Sequence, residues 1–127
     1  MDINKLSSRI IAAAIEVHKA LGPGLLESAY EECICHELSL GGLSLERQKP
    51  LAVQYKGIDL DCGYRLDVVV ENTIILELKS CDKIEPIHKA QLLTYLRLSG
   101  LKLGLLLNFN VPLMRDGIVR IVNELQE

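Results

Sequence analysis

An excess of positive charge is missing from this sequence. Fourteen lysines and arginines face 17 aspartates and glutamates, for a net charge of −3 and a pI of about 5.6. That excludes a protein that holds nucleic acid by bulk positive charge, and leaves room for a local basic groove around an acidic centre. Long apolar runs are missing too: none approaches the roughly 20 residues that a membrane-crossing helix needs. No basic leader with an apolar core and a small-residue cleavage site opens the sequence, so a cytoplasmic protein with no membrane partner is expected. The four cysteines, Cys33, Cys35, Cys62 and Cys81, include no CxxC pair. Cys33 and Cys35 fall on different faces of an expected helix. This spacing argues against a zinc or iron–sulfur site and for reduced thiols acting as small apolar groups. Repeats, low-complexity tracts and long linkers are also lacking. What is left, 49% hydrophobic and 24% charged over 127 residues, reads as one globular domain over 1–127. A mean hydropathy of +0.21 points to a homodimer or to a sheet covered on both faces.

Apolar residues at Ile3, Leu6, Ile10, Ala14, Val17 and Leu21 recur every three or four positions and predict a helix. Asp2 or Asn4 can cap it, and Gly22-Pro23-Gly24 stops it. A second helix is expected over about 25–40, with a stripe of Leu26, Ala29, Cys33 and Leu40 and a stop at Gly41-Gly42. The period then drops to two. Strands are expected over 43–55, 58–70 and 73–79, joined by turns at Lys56-Gly57 and Glu71-Asn72 into an antiparallel meander. Pro86 opens a helix that runs to about Ser99. The nearly all-apolar stretch 102–108 reads as a strand buried on both faces, and 118–122 as a last or edge strand. The order α-α-β-β-β-α-β-β makes the fold class α/β, an α+β arrangement around a mixed sheet.

Charges interrupt the apolar strands at a few places. By alternation Arg65, Asp67 and Val69 share one face, with Tyr64, Leu66, Val68 and Val70 on the other. Glu77 and Lys79 share a face with Ile75, about 6.6 Å apart along the strand. If the turn at Glu71-Asn72 makes these strands neighbours, two carboxylates and an ammonium converge. Charged side chains are rarely buried unless paired or bound to a metal. Two carboxylates offer oxygen ligands to Mg²⁺ or Mn²⁺, and a lysine beside them can orient a water or offset charge on a phosphate. A cross-strand salt bridge on a solvated sheet face is the other reading of the same spacing.

Two helices add polar residues. His88, Gln91 and Tyr95 are three and four apart and share a face, where they can contact a phosphate or buttress metal-bound carboxylates. Glu27 and Tyr30 are three apart at the start of the second helix, and an acid there also suits the helix N-terminus.

Taken together, these residues resemble known motifs. Gly24-x-x-Glu27-x-x-Tyr30 resembles the signature of the GxxExxY protein family. Arg65-Leu66-Asp67, Glu77-Leu78-Lys79 and Gln91-x-x-x-Tyr95, in that order, resemble the PD-(D/E)xK nucleases in their RecB-like variant with a QxxxY helix. The Pro-Asp of the name is Leu66-Asp67 here. The resemblance implies a restriction-endonuclease-like αβββαβ core with a mixed central sheet flanked by helices. It implies a metal-dependent nuclease acting on DNA rather than RNA, with Mg²⁺ or Mn²⁺ as cofactor. Asp67, Glu77 and Lys79 would be catalytic. Glu27, Asp67, Glu77 and the Leu78 carbonyl would hold the metal, and Gln91, Tyr95, Tyr30, Arg65 and His88 would contact substrate or support the site. The alternative is a catalytically inert module of the same shape that binds a partner protein or nucleic acid.

Overall fold

Asp2 starts the first helix: its carboxylate accepts the Asn4 N–H at 3.0 Å. The helix that follows, α1 (Ile3–Leu21), buries Leu6, Ile10, Ala13, Ala14 and Val17 along one side. The computed structural model describes residues 1–125. Gly22, at φ +69°, closes α1 in a conformation that side chains resist. The next helix, α2 (Glu27–Leu40), buries Tyr30, Ile34, Cys35 and Leu38. The buried face is thus rotated from the expected stripe: Cys33 packs against the edge of the core, Ala29 is half-buried, and Leu26 and Leu40 are exposed. Tyr30 decides the orientation. Its ring is fully buried and stacked on Phe109, with centroids 4.4 Å apart and planes 7° from parallel.

Five strands form the main sheet: β1 (Leu45–Pro50), β4 (Arg65–Val70), β5 (Ile74–Lys79), β6 (Leu103–Asn108) and β7 (Ile118–Val122), adjacent in that order. The pairs β1–β4, β4–β5 and β6–β7 are antiparallel, and β5–β6 is parallel. The parallel step is the one that α3 (Pro86–Ser99) spans, as a crossover helix must. The expected meander stands, with an insertion. The segments 43–55 and 58–70 are not continuous strands. Leu51 N–H donates to Tyr64 C=O at 2.9 Å, and beyond that point β2 (Val53–Tyr55) and β3 (Ile58–Leu60) leave the sheet as a separate hairpin. Lys56 and Gly57 turn it with φ of +46° and +86°, the left-handed pair that suits a two-residue hairpin loop.

Helices cover both faces of the sheet. Val68, Val70, Ile74, Leu76, Leu105 and Leu107 pack with α1 and α2. Val69, Ile75 and Leu106 pack with Leu92, Tyr95 and Leu96 of α3. Every residue of β6 is buried, as a strand covered on both sides requires. Leu66 departs from the alternation, because it joins Val69 in the α3 cluster instead of Val68 and Val70. The break falls at Asp67, where β1–β4 pairing also skips a step opposite Gln48, a residue at φ +51°. Cys35 is buried as expected, whereas Cys62 is exposed, and all four thiols are free. No helix among the described residues is long and apolar enough to cross a membrane.

Candidate active site

The ladder between β4 and β5 opens at Val68–Leu76, their last paired residues towards Asp67 and Glu77. In the fork beyond, side chains replace the backbone ladder. The Asp67 N–H donates to Glu77 Oε2 at 2.9 Å. The Leu78 N–H donates to Asp67 Oδ2, also at 2.9 Å. Each carboxylate is thus held by the main chain of the opposite strand. β5 itself does not fray, since it stays paired to β6 as far as Lys79–Asn108. Glu77 is therefore fixed by a central strand paired to β6, and Asp67 by its bond to Leu78 of that strand.

Glu77 is buried and Asp67 half-buried. Burial is the largest influence on both, and it pushes both carboxyl groups above their usual range. For Glu77 the nearby Asp67 charge adds to burial and the group reaches about 8. Lys79 and the amide donors pull the other way. For Glu77, burial therefore outweighs the repulsion by the Asp67 charge. Lys79 is half-buried at the end of β5, and among the described residues it forms no ion pair with either carboxylate. The salt-bridge ladder on a solvated face is not what this sheet carries.

A cleft of about 700 Å³ opens beside Asp67, walled by the start of α2 and by β1. Glu27 stands on its rim, exposed. Glu31, one turn further along α2, was not singled out in the sequence, yet its charge bears on Asp67 more than that of Glu27. The spacing of four from Glu27 was the available signal. Arg47 clamps this wall, with Nη2 at 2.8 Å from Glu31 and 2.7 Å from Glu32. Gln48 Nε2 donates to the other Glu31 oxygen at 2.7 Å. Among the described residues no group of three acids, histidines or cysteines is gathered for a metal, so Glu27 does not join Asp67 and Glu77 in one cluster.

The other residues separate into those near the fork and those away from it. Tyr95 lies buried on α3 within electrostatic reach of Glu77 and Asp67, and burial followed by the Glu77 charge pushes its phenol up. Gln91 is exposed one turn before it, and Arg65 is exposed at the start of β4. His88 is engaged elsewhere: its Nδ1 accepts the Glu85 N–H at 2.9 Å in the capping box of α3. Lys83, Lys89, Arg97 and Lys102 are exposed.

Tyr30 is not at the fork. Its hydroxyl donates to the Gly22 carbonyl at 2.6 Å and accepts the Leu25 N–H at 3.1 Å. It therefore clasps the loop that leads into α2, and the Leu25 carbonyl in that loop accepts the Ser80 hydroxyl at 2.6 Å. Tyr30→Phe keeps the stacked ring and leaves two backbone groups unpaired. A loss of about 1–2 kcal/mol in urea unfolding is expected, and a neutral result would show that the hydroxyl does not hold this loop.

Asn108 was also missed in the sequence, where it reads only as the end of an apolar strand. It is buried, and its Oδ1 accepts the N–H groups of Cys81 and Asn110, both at 3.2 Å, while Nδ2 donates to the Cys81 carbonyl at 3.0 Å. It thereby ties down the chain just after Lys79. Asn108→Ala is expected to cost about 2–3 kcal/mol by urea unfolding.

One family model spans nearly the whole of this arrangement: that of the PD-(D/E)XK nuclease superfamily matches residues 4–121. The chain belongs to the PD-(D/E)XK nuclease superfamily. No curated protein and no solved structure matches it. The five-stranded mixed sheet flanked by helices agrees with the restriction-endonuclease-like fold of that superfamily. PD-(D/E)XK nucleases typically use divalent metals, and the fork suits one. One oxygen of each carboxylate accepts an amide N–H, and the two carboxyl groups are also hydrogen-bonded to each other, so they lie close enough to serve one ion together as hard oxygen donors. Both acids resist ionising without a cation. A donor set of two carboxylates fits a magnesium-like ion that keeps several of its waters.

Proposed function

We propose that this PD-(D/E)XK protein hydrolyses phosphodiester bonds, of DNA rather than RNA, in a reaction that depends on Mg²⁺ or Mn²⁺. The observation that carries this reading is the pair of crossed hydrogen bonds in the β4–β5 fork, which holds two carboxylates side by side, buried Glu77 behind Asp67 in the wall of the cleft. Asp67 and Glu77 would hold the ion, with the Leu78 carbonyl as a further oxygen donor, while Glu27 lines the same cleft without joining them. A bound divalent ion supplies Lewis acidity and a water of lowered pKa. Lys79, free of an ion-pair partner, donates hydrogen bonds to the attacking water or to a phosphate oxygen and offsets charge as it develops. Tyr95 and Gln91 support the carboxylates or the substrate from α3, and Arg65 meets the phosphate backbone. His88 and Tyr30 serve the site by fixing α3 and the entry to α2. The motif at Gly24, Glu27 and Tyr30 supports placing the chain with the GxxExxY proteins.

Labelled single- and double-stranded DNA and RNA, with Mg²⁺ or Mn²⁺ and beside Lys79→Ala, test the reading. Cleavage of DNA that needs the ion and falls at least about a hundredfold, or about 2.7 kcal/mol, in Lys79→Ala is expected. Cleavage that survives in that variant would belong to another protein. No cleavage of any strand by folded protein would favour the inert binding module.

A further inference from the structure

The chain has four tyrosines, one phenylalanine and no tryptophan. Tyr30, Tyr95 and Phe109 are buried. The other two rings, Tyr55 at 58% and Tyr64 at 45% exposure, both belong to the hairpin segment that leaves the sheet between β1 and β4. This segment is built unlike the rest of the molecule. In the β2–β3 register Val53 faces Leu60 and Tyr55 faces Ile58, so one side of the hairpin is entirely apolar, while Gln54 and Asp59 hold the other. The apolar side is not turned into the core: Tyr55, Ile58 and Leu60 are all exposed. A two-stranded hairpin gains little stability by itself, so its bare apolar side calls for a contact that the other described residues do not supply.

Its position says which contact. The arm is rooted where Leu51 bonds Tyr64, and Asp67 follows three residues after Tyr64, about 10 Å along the chain. Tyr64 lies against Tyr95, with centroids 6.2 Å apart and planes 58° apart, and Tyr95 feels the charges of both fork carboxylates. Cations accompany the rings. Lys56 sits at the apex with Nζ 5.4 Å from the Tyr55 centroid, and exposed Arg65 follows Tyr64. Flat rings alternating with cations, reached from the same strand as Asp67, suit a strand of unpaired bases with its phosphates. A stacked duplex does not offer its base faces.

We propose that the β2–β3 hairpin is a substrate arm: Tyr55, Ile58 and Tyr64 take the faces of unpaired bases, so the substrate is single-stranded nucleic acid or a frayed duplex end. This rests on the nuclease reading and narrows it to a substrate class. Apolar side chains that enter between bases are a known means of unstacking them, and Tyr55 opposite Ile58 at the tip provides such a wedge.

Binding is measured by anisotropy of a labelled strand of about 16 nucleotides and of its blunt duplex, with Ca²⁺ as the ion. The wild-type protein is expected to bind the single strand at least about tenfold more tightly than the duplex. Tyr55→Ala with Ile58→Ser is expected to lose about tenfold on the single strand and less than about threefold on the duplex, and Tyr55→Trp to retain binding. If the double variant melts early, Tyr55→Ala alone carries the same comparison. Equal affinity for the two forms, or no loss in the variants, overturns the proposal. So does a dimer that dissociates on Tyr55→Ala while single-strand affinity is unchanged, because the arm would then meet a second copy of the chain. The outcome is separable from that of the nuclease test. Single-strand binding lost in the variants without cleavage by wild type keeps the arm and sinks the nuclease, whereas undiminished cleavage of blunt duplex by the double variant does the reverse.

Discussion

Asp67→Asn is expected to reduce ion-dependent cleavage by at least about a thousandfold, which is about 4 kcal/mol of transition-state stabilisation, with the melting temperature equal to or above that of the wild type. The two halves of this expectation have different origins. Asparagine keeps an oxygen where Asp67 Oδ2 accepts the Leu78 N–H, so the fork has no reason to open. The negative charge is lost, and with it one of the two anionic donors that would hold the divalent ion. Removal of that charge also relieves a folding cost, because Asp67 is held above its usual pKa chiefly by burial. A variant that is inactive because it is unfolded would show the opposite sign in thermal melting. Cleavage retained within about tenfold would show that Asp67 is not part of the reacting centre.

The second large effect is on stability against pH in the absence of divalent ions. Glu77 titrates near 4.5 when unfolded and is pushed up to about 8 in the fold. Between those values the folded protein retains a proton that the unfolded chain has released, so the free energy of unfolding falls as pH rises. The contribution is fully present below about pH 4.5 and is lost as pH climbs through about 8. From pH 5 to pH 8 the loss is on the order of 3 kcal/mol, or a drop of about 10 °C in melting temperature for a chain of this size. Asp67 is shifted in the same direction and adds to the fall. Glu77→Gln keeps an acceptor for the Asp67 N–H and is expected to flatten the profile and raise the melting temperature at pH 8. Mg²⁺ is expected to stabilise the wild type more at pH 8 than at pH 5, since it binds the ionised pair. Thermal melts in chelator and in Mg²⁺ at both pH values decide it. A flat profile, or a fall that Glu77→Gln does not change, would show that Glu77 is already ionised in the folded protein.

Both expectations come from one local event, the separation of β4 from β5 at Val68–Leu76. Had the ladder continued, Asp67 and Glu77 would face each other as a like-charged cross-strand pair, which is unfavourable. With the strands apart, each acid turns to the free N–H of the other strand. The same distortion shifts Leu66 into the α3 cluster and leaves Gln48 in a left-handed conformation.

The sequence by itself determined most of the architecture. The three helices, the crossover into an all-buried β6, the turns at Lys56-Gly57 and Glu71-Asn72 and the pairing of Asp67 with Glu77 follow from periodicity, capping and left-handed turn residues, which act over a few neighbouring residues. The tertiary structure decided what depends on distant partners. α2 faces the core through Tyr30 because Phe109, 79 residues further on, offers the ring on which it stacks. The long expected strands break because Leu51 and Tyr64 bond across them and release a hairpin. Glu31, Arg47 and Asn108 matter through contacts with residues remote in the chain. Both carboxylates are raised first by burial, and only then Glu77 by the Asp67 charge and Asp67 by that of Glu31, and burial is a property of the packed sheet and helices that no spacing along the chain encodes.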